Sequence, residues 1–217
     1  MNMAIMQPYF CPYIGYFQLV NLVDTFVFYD DVQYIKRGYI NRNNLKNNFK
    51  FTIPVSKGST RSKINEVMIN QNNKFFDKFT TSLDRLYRKS PNYYDVMNIL
   101  DNIFRNNHTT ISELAIDSVK SFSNFLGIST VFKKSSGIEY EKTSDRSLNL
   151  INICRSQNCT KYINSIGGLK LYNKDFFLDR GVELKFIDTQ ASLSIIDLCM
   201  LNDVQSIRKI LSGVQLI

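Results

Sequence analysis

The densest run of chemically capable residues in the chain is Gln7-Pro8-Tyr9-Phe10-Cys11-Pro12-Tyr13-Ile14-Gly15-Tyr16. Tyr9, Tyr13 and Tyr16 offer flat faces for stacking and hydroxyls for hydrogen bonding, and Gly15 lets a backbone come close. Gln7 and Tyr13 can orient or activate a substrate. The plainer reading is an aromatic core stripe, because Tyr13, Tyr16 and Phe17 fall at helical spacing. Against it, three phenol hydroxyls beside two prolines are costly to bury without partners.

Asp30 and Asp31, in Tyr29-Asp30-Asp31-Val32-Gln33-Tyr34, form the second candidate. Neighbouring residues on a continuing strand point to opposite faces, so one of the two acids, not both, faces a given ligand. That carboxylate can act as general base, orient an attacking amine, bind a sugar hydroxyl or hold magnesium with a phosphate. A turn with an Asp cap is the alternative. Gln33 adds an amide at the same strand end.

A third run, Lys36-Arg37-Gly38-Tyr39-Ile40-Asn41-Arg42-Asn43-Asn44, sets two guanidinium groups among amides. Arg37 and Arg42 can grip phosphate oxygens bidentately, while Asn41 and Asn43 read hydroxyls or amides, which together make a diphosphate clamp. Lys57 either adds a further positive charge or is simply solvated. Ser165, Gly167 and Gly168 stand at a later strand-to-helix junction, Tyr162-Ile163-Asn164-Ser165-Ile166-Gly167-Gly168-Leu169, whose backbone amides can cradle an anion. This run matches neither a Walker loop nor GxGxxG, so a tight turn also accounts for it.

Metal and histidine chemistry find little to work with. Cys11, Cys154, Cys159 and Cys199 stand among apolar neighbours with no CxxC pair, and read as buried free thiols. The one histidine, His108, sits in a polar Asn-Asn-His-Thr-Thr turn and reads as a solvated loop residue. No protein metal site is expected; magnesium accompanying a bound nucleotide is the one cofactor such a site allows.

The net charge of +8 is local. Between Val32 and Asn65 lie eight basic residues and no acid, leaving 19 basic residues to face 19 acidic ones elsewhere. A confined anion site follows more naturally than a diffuse polycation. Nucleic acid is not the expected partner, since the segment lacks a zinc-finger spacing, a basic heptad helix and the RNP aromatic signature. No run of about 18 apolar residues exists, and the start of the chain lacks the pattern of a secretory signal, so a cytoplasmic protein without a membrane span is expected.

The elements that must hold these residues follow from apolar patterning. Met3 to Gln7 reads as a strand, Tyr13 to Leu22 as a helix with Pro12 at its start, and Thr25 to Tyr29 as a second strand, parallel to the first by the usual crossover. Asp30 to Asn44 is polar and aromatic, Phe49 to Val55 reads as a strand, and Ser56 to Lys63 as a loop. Three helices are expected at Asn73 to Arg88, Tyr93 to Asn106 and Thr110 to Leu126, the last opened by a Thr110/Glu113 capping box. Strands at Thr130 to Lys133, Lys161 to Ser165 and Val182 to Ile187 then alternate with helices at Asp145 to Ser156 and Leu169 to Leu178. Helices at Leu193 to Leu201 and Val204 to Leu211 end the reading. The expected fold is a single α/β domain over 1–217 with a mainly parallel, Rossmann-like sheet, a basic β excursion at 32–65 and a helical insertion at 73–126.

The run Ala4 to Leu19, together with Phe26-Val27-Phe28-Tyr29-Asp30-Asp31-Val32-Gln33-Tyr34-Ile35-Lys36-Arg37 and Ile40-Asn41-Arg42-Asn43, closely resembles the WbqC-like proteins. Tyr162 to Gly168 and Leu193-Ser194-Ile195-Ile196-Asp197 resemble the same family, so the likeness spans most of the chain. Tyr39 stands where familiar members carry Trp, and Cys11 where they often carry Phe. Such proteins are typically encoded with O-antigen and other bacterial surface-polysaccharide genes. The resemblance therefore implies a transferase that modifies a sugar nucleotide or amino sugar by acyl or aminoacyl transfer.

Tyr13-Ile14-Gly15-Tyr16 is also similar in position to the H-x-G-H of HIGH-type nucleotidylyltransferases, which keeps open an enzyme that activates a small acid with ATP. A third reading is a non-catalytic binding module of a polysaccharide assembly complex, which predicts a flat aromatic patch and no closed pocket. The expected partners are an anionic small molecule, a sugar nucleotide above all, and a second copy of the chain.

Overall fold

Every residue of β1 (Asn2–Met6) is at least half-buried, because the strand lies between two layers of helix. The computed structural model describes residues 1–56, 61–70, 74–189 and 193–217. After β1 come α1 (Ile14–Leu22) and β2 (Thr25–Phe28), parallel to β1 from Met3↔Thr25 to Met6↔Phe28. A hairpin follows, β3 (Arg42–Leu45) and β4 (Phe49–Thr52), antiparallel from Arg42↔Thr52 to Leu45↔Phe49. Then come α2 (Phe75–Tyr87), α3 (Tyr93–Arg105) and α4 (Ile111–Leu126); Asn73, the expected start of the first of these, lies outside the described residues. Alternation resumes with β5 (Val131–Lys134), α5 (Arg146–Ser156), β6 (Lys161–Ser165), α6 (Lys174–Leu178) and β7 (Glu183–Ile187). Two further helices, α7 (Ile195–Leu201) and α8 (Val204–Ser212), complete the order.

Five strands make one wholly parallel sheet in the order β5-β2-β1-β6-β7. The chain builds outward from β1 to the β5 edge, then returns to lay β6 and β7 on the other side. The strand order thus reverses between β1 and β6, and open α/β sheets bind ligands in the crevice that such a reversal leaves beyond the carboxyl ends of the strands.

Side chains alternate between the faces of the sheet, and each face has its own core. Ala4, Phe26 and Phe28 join the core built with α1, α4, α7 and α8; Met3, Ile5 and Val27 join the one built with α5 and α6. Helix ends follow local chemistry. Thr110 accepts a hydrogen bond from the Glu113 amide while the Glu113 carboxylate accepts one from the Thr110 amide, as the capping box requires, and Gly127 closes α4 at φ 73°.

Two expectations need correcting. The helix read at Leu169 to Leu178 is only the five residues of α6: Leu169 and Leu171 are exposed, and the Asn173 side chain caps a new start by accepting from the Phe176 amide. Polar Arg42–Leu45 is a strand, formed because Asn43 and Leu45 bury one face against its partner. Asn47 and Asn48 turn the hairpin with φ of 58° and 56°, a left-handed backbone that asparagine tolerates better than most residues.

Candidate functional site

The loop leaving β1 is held rigidly by side chains from four other segments. Cys11 is fully buried and takes a left-handed backbone (φ 44°), a conformation that costs a non-glycine residue about 1 kcal/mol or more. Its carbonyl accepts hydrogen bonds from Asn43 Nδ2 (2.9 Å) and Ser194 Oγ (2.7 Å), and its amide donates to Ser118 Oγ (3.0 Å). Around it the Phe10 amide donates to the Ile40 carbonyl and the Ile195 amide to the Pro12 carbonyl. The Tyr16 hydroxyl donates to the Gln7 carbonyl at 3.0 Å. Strain at one residue is therefore outweighed by bonds from β3, α1, α4 and the start of α7.

Beyond this loop, where the strand order reverses, lies a cavity of about 700 Å³. Met6, Tyr9 and Tyr13 wall it from the β1 side, Ser165 from the end of β6, and Leu193 from the approach to α7. Tyr39, Asn43 and Asn44 enclose it from the basic excursion. Tyr9 packs against Tyr16 and Tyr39, with ring centroids 5.7 and 6.5 Å apart. Its phenol is pushed up to about 12, first by burial and then by the neighbouring Tyr13 and Tyr39, so it stays a neutral hydrogen-bonding group. Burial likewise raises Tyr13, partly offset by its hydrogen bond with Thr189. Aromatic faces with a few neutral polar groups suit a flat or sugar-like ligand.

The expected residues are distributed unevenly around this cavity. Tyr9, Tyr13, Asn43 and Ser165 line it. Tyr16 is buried in the core and holds the loop from beneath. Gly15 meets no ligand space: a Cβ there would stand 2.6 Å from both Thr189 Cβ and Tyr13 Cε2, so the glycine serves close packing of α1. Asn41 is buried and donates to the Ile53 carbonyl, leaving its own Oδ1 shielded and without a partner. The Ser165 amide donates to its neighbour Asn164 Oδ1, and Gly168 packs against that side chain and Phe186; Gly167 is exposed. The anion-cradling turn expected there thus has one amide already engaged.

Arg37 is exposed with φ 64°, and Gln33 is exposed in a bridge with Lys63. Arg42 is half-buried; its Nε is shielded from water without a partner, and its charge lies close enough to offset part of the burial-driven rise of the Tyr34 phenol. Among the described residues neither guanidinium is paired with a carboxylate. Lys57 lies outside the described residues. Met6, Asn44 and Leu193 were missed by sequence reasoning, since a strand's last residue, one amide among several and a lone leucine carry no chemical signal, and Tyr39 was noted only as standing where relatives carry Trp.

Asp30 and Asp31 do not line this cavity, and they do not diverge as neighbours on a continuing strand would. β2 ends at Phe28, and both carboxylates turn to Ser135, whose hydroxyl bonds Asp31 Oδ1 closely and Asp30 Oδ1 at 3.1 Å. Asp30 is buried and also accepts from the Ser136 amide and hydroxyl. Asp31 pairs with Lys142 Nζ at 2.5 Å. Burial alone would raise Asp31, but the hydrogen bonds from Lys142 and Ser135 and the Lys142 charge hold it below the ordinary carboxylate range.

A depressed carboxylate stabilises the fold above its unfolded pKa and loses that contribution as pH falls through the folded value. Thermal melts recorded between about pH 5 and pH 2 should therefore show Asp31→Asn with a flatter acid limb than the parent. An unchanged slope would mean that the Lys142 pair contributes nothing.

His108, expected in solvent, is largely buried, with its side chain 15% exposed and Nε2 2.9 Å from Asp117 Oδ2. The four cysteines are buried free thiols. Among the described residues no three histidine, cysteine, aspartate or glutamate side chains are grouped to hold a metal ion, and no helix is long and apolar enough to cross a membrane.

The chain is 28% identical over 192 residues to the uncharacterized protein Rv1507c of Mycobacterium tuberculosis, covering 86% of this chain and 82% of that protein. No solved structure matches it. The WbqC-like protein family matches residues 7–209, from the β1 loop through the hairpin and the Ser165 turn to α8, and the chain belongs to that family.

Proposed function

We propose that the chain is a transferase that binds a sugar nucleotide in the reversal-point cavity and modifies an amino sugar by acyl or aminoacyl transfer, in bacterial surface-polysaccharide biosynthesis. One observation carries this reading. The cavity is closed by Tyr39, Asn43 and Asn44, which belong to the same segment that holds the chain's entire excess of positive charge. Tyr9, Tyr13 and Tyr39 then stack on base or sugar, Asn43, Asn44 and Ser165 meet hydroxyls, and Arg37 and Arg42 approach the diphosphate from the rim.

Nucleotidyl transfer is less well supported. At the two positions that correspond to the outer residues of an H-x-G-H, neutral phenols stand in place of imidazoles that can carry charge, and the Tyr16 hydroxyl is already donated to the Gln7 carbonyl, so a developing phosphate charge finds little support there. The volume of the cavity also favours a ligand site over a flat docking patch.

Calorimetry with a UDP-linked amino sugar provides the test. Arg42→Ala and Arg37→Ala should each weaken binding about ten- to hundredfold, the worth of a hydrogen bond to a charged group. Tyr39→Ala should weaken it by roughly ten- to hundredfold through the loss of stacking. Mass spectrometry of the sugar nucleotide after incubation with an activated acyl donor, such as an acyl thioester, should then show the acyl mass added to the amine, with the free thiol and the amine proton released. Unchanged affinity in both arginine variants would refute the clamp, and pyrophosphate release from ATP would favour nucleotidyl transfer instead.

A further inference from the structure

A second pocket, of about 440 Å³, opens at the carboxyl ends of β2 and β5 against the start of α4. Its depth and its rim differ in chemistry. Deep in the pocket, Ser112 is only 2% exposed and its hydroxyl has no hydrogen-bond partner. Asn65 Oδ1, on the same wall, is shielded from water and equally unpartnered. Buried polar groups in folded proteins almost always have a partner, so two unmet ones in one pocket point to a bound molecule, a ligand or a water that a ligand can replace. Asp30 completes the floor; Ser136 donates to its Oδ2, and that oxygen keeps room for one more donor.

The rim carries Lys120 and Lys134, and among the described residues neither is ion-paired. The other acids nearby are already engaged. Glu113 accepts from Thr109 and Thr110 as the helix cap, and Asp117 accepts from Asn106 and contacts His108. Asp30, Glu113 and Asp117 thus turn oxygens to their neighbours rather than to the lysines, which leaves room for an anionic group at Lys120 and Lys134 and for a hydrogen-bond donor directed inward to Asn65, Ser112 and Asp30.

We propose that this pocket binds a small carboxylic acid that carries a hydroxyl or amino group beside its carboxylate. The carboxylate meets Lys120 and Lys134, and a side-chain adjustment on binding lets the adjacent O–H or N–H reach the Asn65 oxygen and Ser112 hydroxyl, both shielded in the free protein. The inference rests on this pocket alone and stands whether or not the reversal-point cavity takes a sugar nucleotide.

Saturation-transfer NMR on the intact chain tests it with L-lactate and L-serine as probes. Acetate, inorganic phosphate and ethanolamine serve as controls that lack the inward donor or the carboxylate. Lactate or serine should bind at least about tenfold more tightly than any control, the difference expected from an unmatched buried polar group. Ser112→Ala should lower that affinity roughly three- to tenfold while the free protein melts no lower than the parent, because the change removes an unmet buried hydroxyl. Lys134→Gln should lower it roughly tenfold or more. Binding by neither probe, equal binding of acetate or phosphate, or unchanged affinity in Ser112→Ala would each overturn the proposal. Lactate binding without serine binding, or the reverse, would support it, the first identifying a hydroxyl as the inner donor.

Discussion

Asn43→Ala is expected to lower stability by about 2–3 kcal/mol, roughly 5–10 °C in melting temperature for a chain of this size, and to weaken ligand binding in the cavity at least tenfold. Asn43 is 9% exposed and serves two neighbours: Nδ2 donates to the Cys11 carbonyl, and Oδ1 accepts from the Asn44 amide. Alanine leaves that amide without its acceptor and slackens a loop already strained at Cys11. Ser194 Oγ still holds the Cys11 carbonyl, so Ser194→Ala alone should cost less than the pair suggests. The double variant strips the buried carbonyl of both donors, and its loss should exceed the sum of the single losses. Melting curves for the three variants check this; strictly additive losses would show that the two donors do not act on one strained loop.

Gly15→Val is expected to destabilise by about 1–3 kcal/mol and to displace the Tyr13 ring from the cavity wall. The reason is space rather than backbone freedom. Any Cβ at position 15 meets Thr189 Cβ and Tyr13 Cε2 at 2.6 Å, well inside contact distance. Thr189 follows β7 and also hydrogen-bonds Tyr13, so the clash is transmitted to the ring that lines the site. Thr189→Gly in the Gly15→Ala background removes one side of the clash and should restore part of the lost stability. Denaturant unfolding measures both, and an unperturbed Gly15→Val protein would disprove the packing role assigned to this glycine.

The centre of the sheet was legible because its strands are buried on both faces. β1, β2 and β6 appear in the sequence as short apolar runs with turn residues after them, and β6 was read to the residue at Lys161 to Ser165. The capping box at Thr110 and Glu113 located the start of α4 in the same way. β3 was not legible, since Arg42-Asn43-Asn44-Leu45 has no apolar alternation; its burial depends on a partner strand and on the distant Cys11 carbonyl. α6 was overextended because exposed Leu169 and Leu171 imitate a helix face, while the cap at Asn173 was the signal to weigh.

The site was half legible. Phenols between a strand and a helix identify themselves, and Tyr9 and Tyr13 do line the cavity. Which phenol faces the ligand and which faces the core depends on packing: the Tyr16 hydroxyl reaches back from α1 to the Gln7 carbonyl. Asp30 and Asp31 looked equivalent in sequence, yet residues more than a hundred positions away separate them. Ser136 anchors Asp30, and Lys142 neutralises Asp31.

Chemical-shift mapping with a UDP-linked amino sugar tests the central claim most directly. The largest shifts should fall at Tyr9, Tyr13, Tyr39, Asn43, Asn44 and Ser165, which line the cavity where the strand order reverses, and the proposed clamp adds shifts at Arg37 and Arg42. Shifts confined to the opposite edge of the sheet, or none at saturating ligand, would contradict it.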